Sequence, residues 1–221
     1  MIRRRQKGSR FVNYMTSYHS PLGRIILTCR EDSLTGLWFE GQKNISERLT
    51  QNAPYIPVAA RHGNMTDVPI SSRSDSAADT SVSVYHGSAA DVPAFIQAFR
   101  WLDLYFAGKD PGFTPALTPE GTRFRQEVWR LLLAIPYGTT TTYGKLAALL
   151  AQERGQSHMS AQAVGGAVGH NPISLIIPCH RVIGADGSLT GYAGGIDRKR
   201  RLLSLERQVL NRPRSVSAAL L

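Results

Sequence analysis

The sequence predicts an α/β chain in two pieces, a small antiparallel sheet with one helix followed by a mostly helical second piece. Three observations carry that prediction. Early in the chain, alternating and β-branched runs are separated by tight-turn residues. Later, apolar residues recur at helical spacing behind capping residues. Between them, residues 109–120 carry Pro111, Pro115 and Pro119 and read as an extended linker. A chain of 221 residues is long enough for two modest domains.

The first piece, residues 1–108, opens on a basic tail over 1–10. Tyr14, Thr16 and Tyr18 then alternate, and Ser20-Pro-Leu-Gly23 turns the chain. Residues 24–29 are apolar and β-branched, 31–33 turn again, and 34–39 close the set. Three short strands joined by tight turns predict an antiparallel meander. Cys29 ends the second strand with nothing catalytic beside it and reads as structural. Over 56–90, Ser, Ala, Asp, Val and Pro replace large apolar side chains, a composition that predicts a long mobile insertion. Asp91-Val-Pro93 then starts a helix with Phe95, Phe99, Leu102 and Phe106 on one stripe, ended by Gly108.

The second piece spans 121–210, with 211–221 as a frayed tail. Its first helix, 122–135, presents Phe124, Val128, Leu131, Leu132 and Ile135, keeps Trp129 for the core, and stops at Pro136. Thr142 caps a second helix over 142–150, and Ser160 caps a third over 160–169. Gly165, Gly166 and Gly169 each cost that third helix about 1 kcal/mol relative to Ala. Their presence implies close approach to another helix or to a duplex. By spacing alone, helix, turn, helix fits a helix-turn-helix and an ordinary helical hairpin equally. Asp197 caps a last helix over 198–206. Its leading cations oppose the helix dipole, a cost eased by a nearby phosphate, though a solvated basic face fits as well.

The net charge of +10 and pI near 10.1 point to an anionic partner, nucleic acid first. Two cysteines form neither a disulfide framework nor a zinc spacing, so the expected compartment is the cytoplasm and no metal is expected. No apolar run approaches a membrane span, and the basic N-terminus lacks the apolar segment of a secretory signal. No cofactor, membrane or obligate protein partner is implied.

The chemistry concentrates in Asn171-Pro-Ile-Ser-Leu-Ile-Ile-Pro-Cys-His-Arg-Val182. Pro178 fixes one torsion directly before Cys179, at the edge of an apolar run, which suits a rigidly presented thiol nucleophile. His180 offers a base and Arg181 a fixed charge that favour the thiolate. A bare Cys-His pair fits a buried, inert cysteine as well.

The string Pro178-Cys-His-Arg-Val182 resembles the active-site motif of the O6-methylguanine-DNA methyltransferases, and the likeness runs from about Gly121 to Glu206. The resemblance implies a ribonuclease-H-like N-terminal domain and a winged-helix-like DNA-binding domain with a helix-turn-helix. It implies irreversible transfer of an alkyl group from O6-alkylguanine in double-stranded DNA to Cys179, and leaves open whether O4-methylthymine is also repaired. In this family a histidine and a glutamate activate the thiol through a relay that includes water, roles that fall on His180 and Glu206; read alone, Glu206 is a solvated helix-end carboxylate. Asn171 falls on the asparagine that braces the turn. Tyr143, followed by Gly144 at the DNA surface, falls on the tyrosine that extrudes the nucleotide and protonates the leaving base. Tyr192-Ala-Gly-Gly195 falls on the loop over the flipped base, with Ala193 where another member carries serine. Gln162 stands where the family has an intercalating arginine, so the wedge brings no charge. Arg181 is expected as a structural or phosphate-pairing cation, and His170 as facing DNA. Another member holds zinc in its first domain; with Cys29 alone there, none is expected here. Two further classes compete: a non-catalytic lesion-binding protein, which Cys179 argues against, and a cysteine hydrolase, which is disfavoured because adjacent side chains rarely face each other.

Overall fold

The computed structural model describes residues 13–43 and 91–210; the expected basic tail, the 56–90 insertion and the 211–221 tail lie outside them. Strands β1 (Asn13–Ser20), β2 (Gly23–Arg30) and β3 (Ser33–Phe39) form the expected antiparallel meander, in the order β1-β2-β3. Ile25, Leu27 and Cys29 alternate toward one face at 0% exposure, and Ile26 and Thr28 on the opposite face are buried as well. A bulge between Thr28 and Cys29 shifts the β2–β3 register. On β3, the Trp38 ring lies across Gly36, where a Cβ would sit 1.9 Å from it.

Helix α1 (Pro93–Phe106) packs on this sheet, with Pro in its first turn. Its buried face differs from the expected stripe. Phe95 and Leu102 hold their places, but Ala98, Trp101 and Tyr105 complete the face. Phe99 and Phe106 instead sit at its margin, stacked on Tyr18 at 5.9 and 6.3 Å.

The segment 109–120, read as a linker, is laid against the sheet. Leu34 N donates to Ala116 O at 2.9 Å and Thr118 N to Leu34 O at 2.8 Å. Further along the same edge of β3, Leu37 N donates to Pro172 O and accepts, through its carbonyl, from Ser174 N. Two later segments thus satisfy backbone groups that a bare edge would leave open.

Helices α2 (Arg123–Leu133), α3 (Tyr143–Glu153) and α4 (Ala161–Gly169) pack on one another. Thr122, Thr142 and Ser160 each cap one of them, accepting from Arg125, Lys145 and Ala163. Trp129 is core, its indole N–H donating to Ala167 O at 2.9 Å. α3 and α4, joined by a turn through Gly155 (φ +63°), have the helix-turn-helix order. Packing among the described residues does not account for Gly166 or Gly169, where an added Cβ would meet none of them within 4 Å.

Strands β4 (Thr141–Thr142) and β5 (Val182–Ile183) form a short parallel pair, and α5 (Ile196–Leu210) ends the described chain. The leading cations of α5 divide: Arg200 and Arg201 are exposed, Arg200 pairing with Asp197 at 2.7 Å, whereas Arg198 and Lys199 are engaged within the chain. Arg198 donates to Leu22 O and Gly194 O and lies 4.8 Å from the Phe39 ring centroid. Lys199 is buried, its Nζ donating to Val182 O and Thr190 O at 2.6 Å each. Carbonyls of the surrounding loops take up the charges of Arg198 and Lys199, which eases the dipole conflict for these two.

Candidate active site

The site is built from the turn after α4. Asn171 is buried and uses its whole carboxamide: Oδ1 accepts from Ile173 N, and Nδ2 donates to Ile177 O at 2.8 Å and to Cys179 Sγ at 3.1 Å. Within the turn Leu175 adopts φ +69°, a left-handed conformation that is costly for a residue with a Cβ. Pairing with β3 on one side and Ile177 N to Ile173 O on the other hold it there. Pro178 leads into a single tight helical turn, Cys179–Arg181, which puts the thiol at the inner end of the motif.

Cys179 is 6% exposed. Burial pushes its thiol pKa up, against the pull of the Asn171 hydrogen bond and the Lys199 charge. At rest the group is a thiol, so its chemistry needs a base. His180 is fully buried, and burial pushes its imidazole down, toward the neutral form, despite Glu206. Its Nε2 lies 2.7 Å from Glu206 Oε1, while its buried Nδ1 has no hydrogen-bond partner among the described residues. Facing a carboxylate, Nε2 carries the proton, which leaves the lone pair on Nδ1.

Glu206 is not the solvated helix-end carboxylate that its sequence position alone suggests. It is fully buried, and Gly138 N, Tyr105 Oη and the Arg181 guanidinium all donate to it. Burial would raise its pKa, but the hydrogen bonds and charges of His180 and Arg181 outweigh it and hold the carboxyl near 2. Of the two roles expected for Arg181, structural or phosphate-pairing at the DNA, the geometry has the structural one and not the DNA contact. The side chain is turned inward, paired with Glu206 at 3.0 Å and donating to Ile135 O at 2.7 Å, because an ionised buried carboxylate needs a cation beside it.

Tyr143 opens α3, and its hydroxyl donates to Thr190 O at 3.2 Å. The chain leaves room for it at Gly191 (φ +67°), where a Cβ would come within 2.7 Å of that oxygen. Tyr192 is buried, and the Ala193 carbonyl accepts from Lys43 N at 3.3 Å. The Cys179 charge would raise the pKa of both Tyr143 and Tyr192, after burial itself, so the two rings share one neighbourhood with the thiol. Gly144 and Gln162 are exposed on α3 and α4. His170 Nδ1 lies 2.7 Å from Gly166 O, at the end of its own helix.

The structure therefore brings together Cys179, Asn171, His180, Glu206, Tyr143 and Tyr192. Sequence reasoning missed two buried members of the constellation, Tyr105 and Lys199. The one visible signal was an ionisable residue at core spacing, as Tyr105 stands three residues after Leu102. Among the described residues, no group of three or more His, Cys, Asp or Glu could hold a metal ion, and no helix is long and apolar enough to cross a membrane.

Two family models match the chain: the ribonuclease-like domain of 6-O-methylguanine DNA methyltransferase over residues 13–119, and the DNA binding domain of the same family over 123–208. A methylated-DNA--protein-cysteine methyltransferase of Haemophilus influenzae is 35% identical over 195 residues, 88% of this chain and 86% of that protein. One from Mycobacterium tuberculosis is 53% identical over 114 residues, 52% of this chain; the match spans 66% of that relative's length. Among solved structures, Mycobacterium tuberculosis OGT in complex with DNA superposes with a TM-score of 0.63 at 37% identity, covering 89% of this chain and 94% of that one.

Proposed function

The chain belongs to the 6-O-methylguanine DNA methyltransferase family, and on that premise we propose that it repairs O6-alkylguanine in duplex DNA by moving the alkyl group onto its own Cys179. The carrying observation is a buried thiol on a braced turn beside a neutral imidazole whose far nitrogen is held by an ionised carboxylate. His180 Nδ1 takes the thiol proton through a water, and the Glu206 carboxylate stabilises the resulting imidazolium. The thiolate attacks the alkyl carbon in line with the C–O6 bond. The S–C bond forms as the C–O6 bond breaks, and the electron pair leaves with the guanine. Tyr143 gives that base a proton and recovers one from the relay, so the balance is thiol plus alkylguanine to thioether plus guanine. A thioether has no good leaving group, and each chain acts once.

The target base reaches the thiol only when flipped out of the stack. Tyr192 and the Ala193–Gly195 backbone cover it, while Gln162, exposed in the first turn of α4, fills the gap without adding charge. The open faces of Gly166 and Gly169 let α4 approach a groove closely. The net charge of +10 supplies phosphate contacts, so the uncharged wedge leans on them. Its place of action is the cytoplasm, with direct access to DNA.

The test is intact-protein mass after incubation with excess duplex carrying one O6-methylguanine. The expected result is one methylene added per chain, mapped to Cys179, with no further turnover and none in Cys179→Ala. Unchanged mass with tight lesion binding would replace catalysis by sensing, and unchanged mass without binding would remove the DNA reading.

A further inference from the structure

The thiol-activating relay contains a group from the other half of the chain. Tyr105 lies near the end of α1, is fully buried, donates to Glu206 Oε1 at 2.8 Å and stands 3.3 Å from His180 Nε2. Its ring meets the imidazole edge-on, with centroids 6.3 Å apart. The same carboxylate oxygen receives the His180 N–H at 2.7 Å. From this shared acceptor we infer that Tyr105 is a positioning residue of the relay: its hydroxyl takes a share of the charge on Oε1, limits the pull of Glu206 on the His180 proton, and keeps Nδ1 free to act as the base. The inference rests on the alkyl-transfer reading above and deepens it.

A buried tyrosine also fits a core position, and the neighbouring Tyr137 shows what that looks like. Its ring packs edge-on against Tyr105 and lies 5.4 Å from the Arg181 guanidinium, yet its buried hydroxyl has no partner among the described residues. Tyr105 differs because both partners of its oxygen belong to the relay. Donors to Glu206 come from four places: Tyr105 on α1, Gly138 before β4, and His180 and Arg181 on the catalytic turn. Arg181 neutralises the carboxylate as a whole. Among the described residues, Oε1 receives Tyr105 Oη, His180 Nε2 and the Arg181 guanidinium (Nε at 3.3 Å, Nη2 at 3.1 Å), while Gly138 N goes to Oε2, so Tyr105 and His180 compete for the charge of one oxygen beside a fixed cation. The other charged or titratable groups facing His180 are Arg181 on its own turn and Lys199 on α5, and both disfavour the imidazolium. Removing the Tyr105 hydroxyl leaves those two in place and strengthens the hold of Glu206 on the imidazole proton.

The experiment compares the full chain with Tyr105→Phe and Tyr137→Phe. The alkyl-transfer rate constant is measured at saturating O6-methylguanine duplex across pH, and the His180 ring nitrogens are titrated by NMR in the same proteins. Tyr105→Phe is expected to move the acid limb of the rate profile, and the His180 titration with it, up by about one pH unit, which slows transfer roughly tenfold on that limb and far less above it. Tyr137→Phe is expected to leave both unmoved. A purely structural role would lower the melting temperature or slow transfer evenly at all pH without moving either midpoint, and that result overturns the inference. The NMR titration does not depend on methyl transfer, so an unsubstituted chain that fails to accept a methyl group sinks the functional reading separately. Should Tyr105→Phe not fold, the unsubstituted protein decides. A slowly exchanging Tyr105 hydroxyl proton with a cross-peak to the His180 ring is expected, and its absence overturns the proposal.

Discussion

At the scale of single residues, the site is a set of buried groups whose protonation states are set by one another. Glu206 stays ionised because Arg181 and His180 outweigh its burial, and His180 stays neutral because its own burial outweighs Glu206. Both groups therefore have folded pKa values below their ordinary ones of 4.5 and 6.5. The sign follows from proton counting: below the ordinary value, the unfolded chain binds the proton that the folded chain refuses. Stability from these groups is fully present near neutrality. It is lost as pH falls, first through 6.5 for His180 and then from 4.5 toward about 2 for Glu206. Urea denaturation at fixed temperature should show the midpoint falling steadily from pH 7 to pH 4, and a midpoint that rises over that span would mean His180 is charged in the fold. The same depression predicts that methyl transfer persists below pH 6.5 and fails only when Nδ1 is protonated.

At the scale of elements, Lys199 joins three of them: from α5 it holds the carbonyl of Val182 on β5 and that of Thr190 in the loop before Tyr192. Thr190 O also receives the Tyr143 hydroxyl, so one carbonyl ties α3, α5 and the loop together. Lys199→Met keeps the stem but leaves buried acceptors open, at about 1–3 kcal/mol each. It should speed hydrogen exchange across 188–193 and slow methyl transfer, as the thiol loses a nearby positive charge; unchanged exchange would show that Tyr143 alone secures the loop. The sequence made some of this legible and hid the rest for a physical reason. Strands, turns and the Thr142 and Ser160 caps are local, and were readable from neighbours a few residues apart. The Pro178–Val182 motif located the thiol. Hidden were the contacts created when distant elements dock: Tyr105 on Glu206, Arg181 turned inward, and 116–118 along β3. No periodicity within α1 distinguishes a tyrosine that fills the core from one that serves a carboxylate 101 residues away.

At the scale of the whole molecule, the two halves meet through the site itself. β3 pairs with the Asn171 turn, Lys43 with the Ala193 loop, Arg198 with Leu22, and Tyr105 with Glu206. A disturbance at Cys179 therefore acts on contacts that hold the fold as a unit. Methylation is such a disturbance. Cys179 is 6% exposed, and its sulfur lies 3.1 Å from Asn171 Nδ2, which also fastens Ile177 O. A thioether adds a methyl group at a nearly fully buried residue and weakens the sulfur as an acceptor. Overpacking of that kind costs about 1–3 kcal/mol, before any loss at Asn171. For a chain of this size each kcal/mol lowers the melting temperature by roughly 2–4 °C. The methylated protein should thus melt several degrees below the unreacted one, in a single transition whose calorimetric and van't Hoff enthalpies agree. Scanning calorimetry before and after reaction with O6-methylguanine duplex, with the DNA removed, measures it. An unchanged melting point would mean that the turn relaxes around the methyl group at no cost. Two separated transitions would mean that the halves are not coupled through the site.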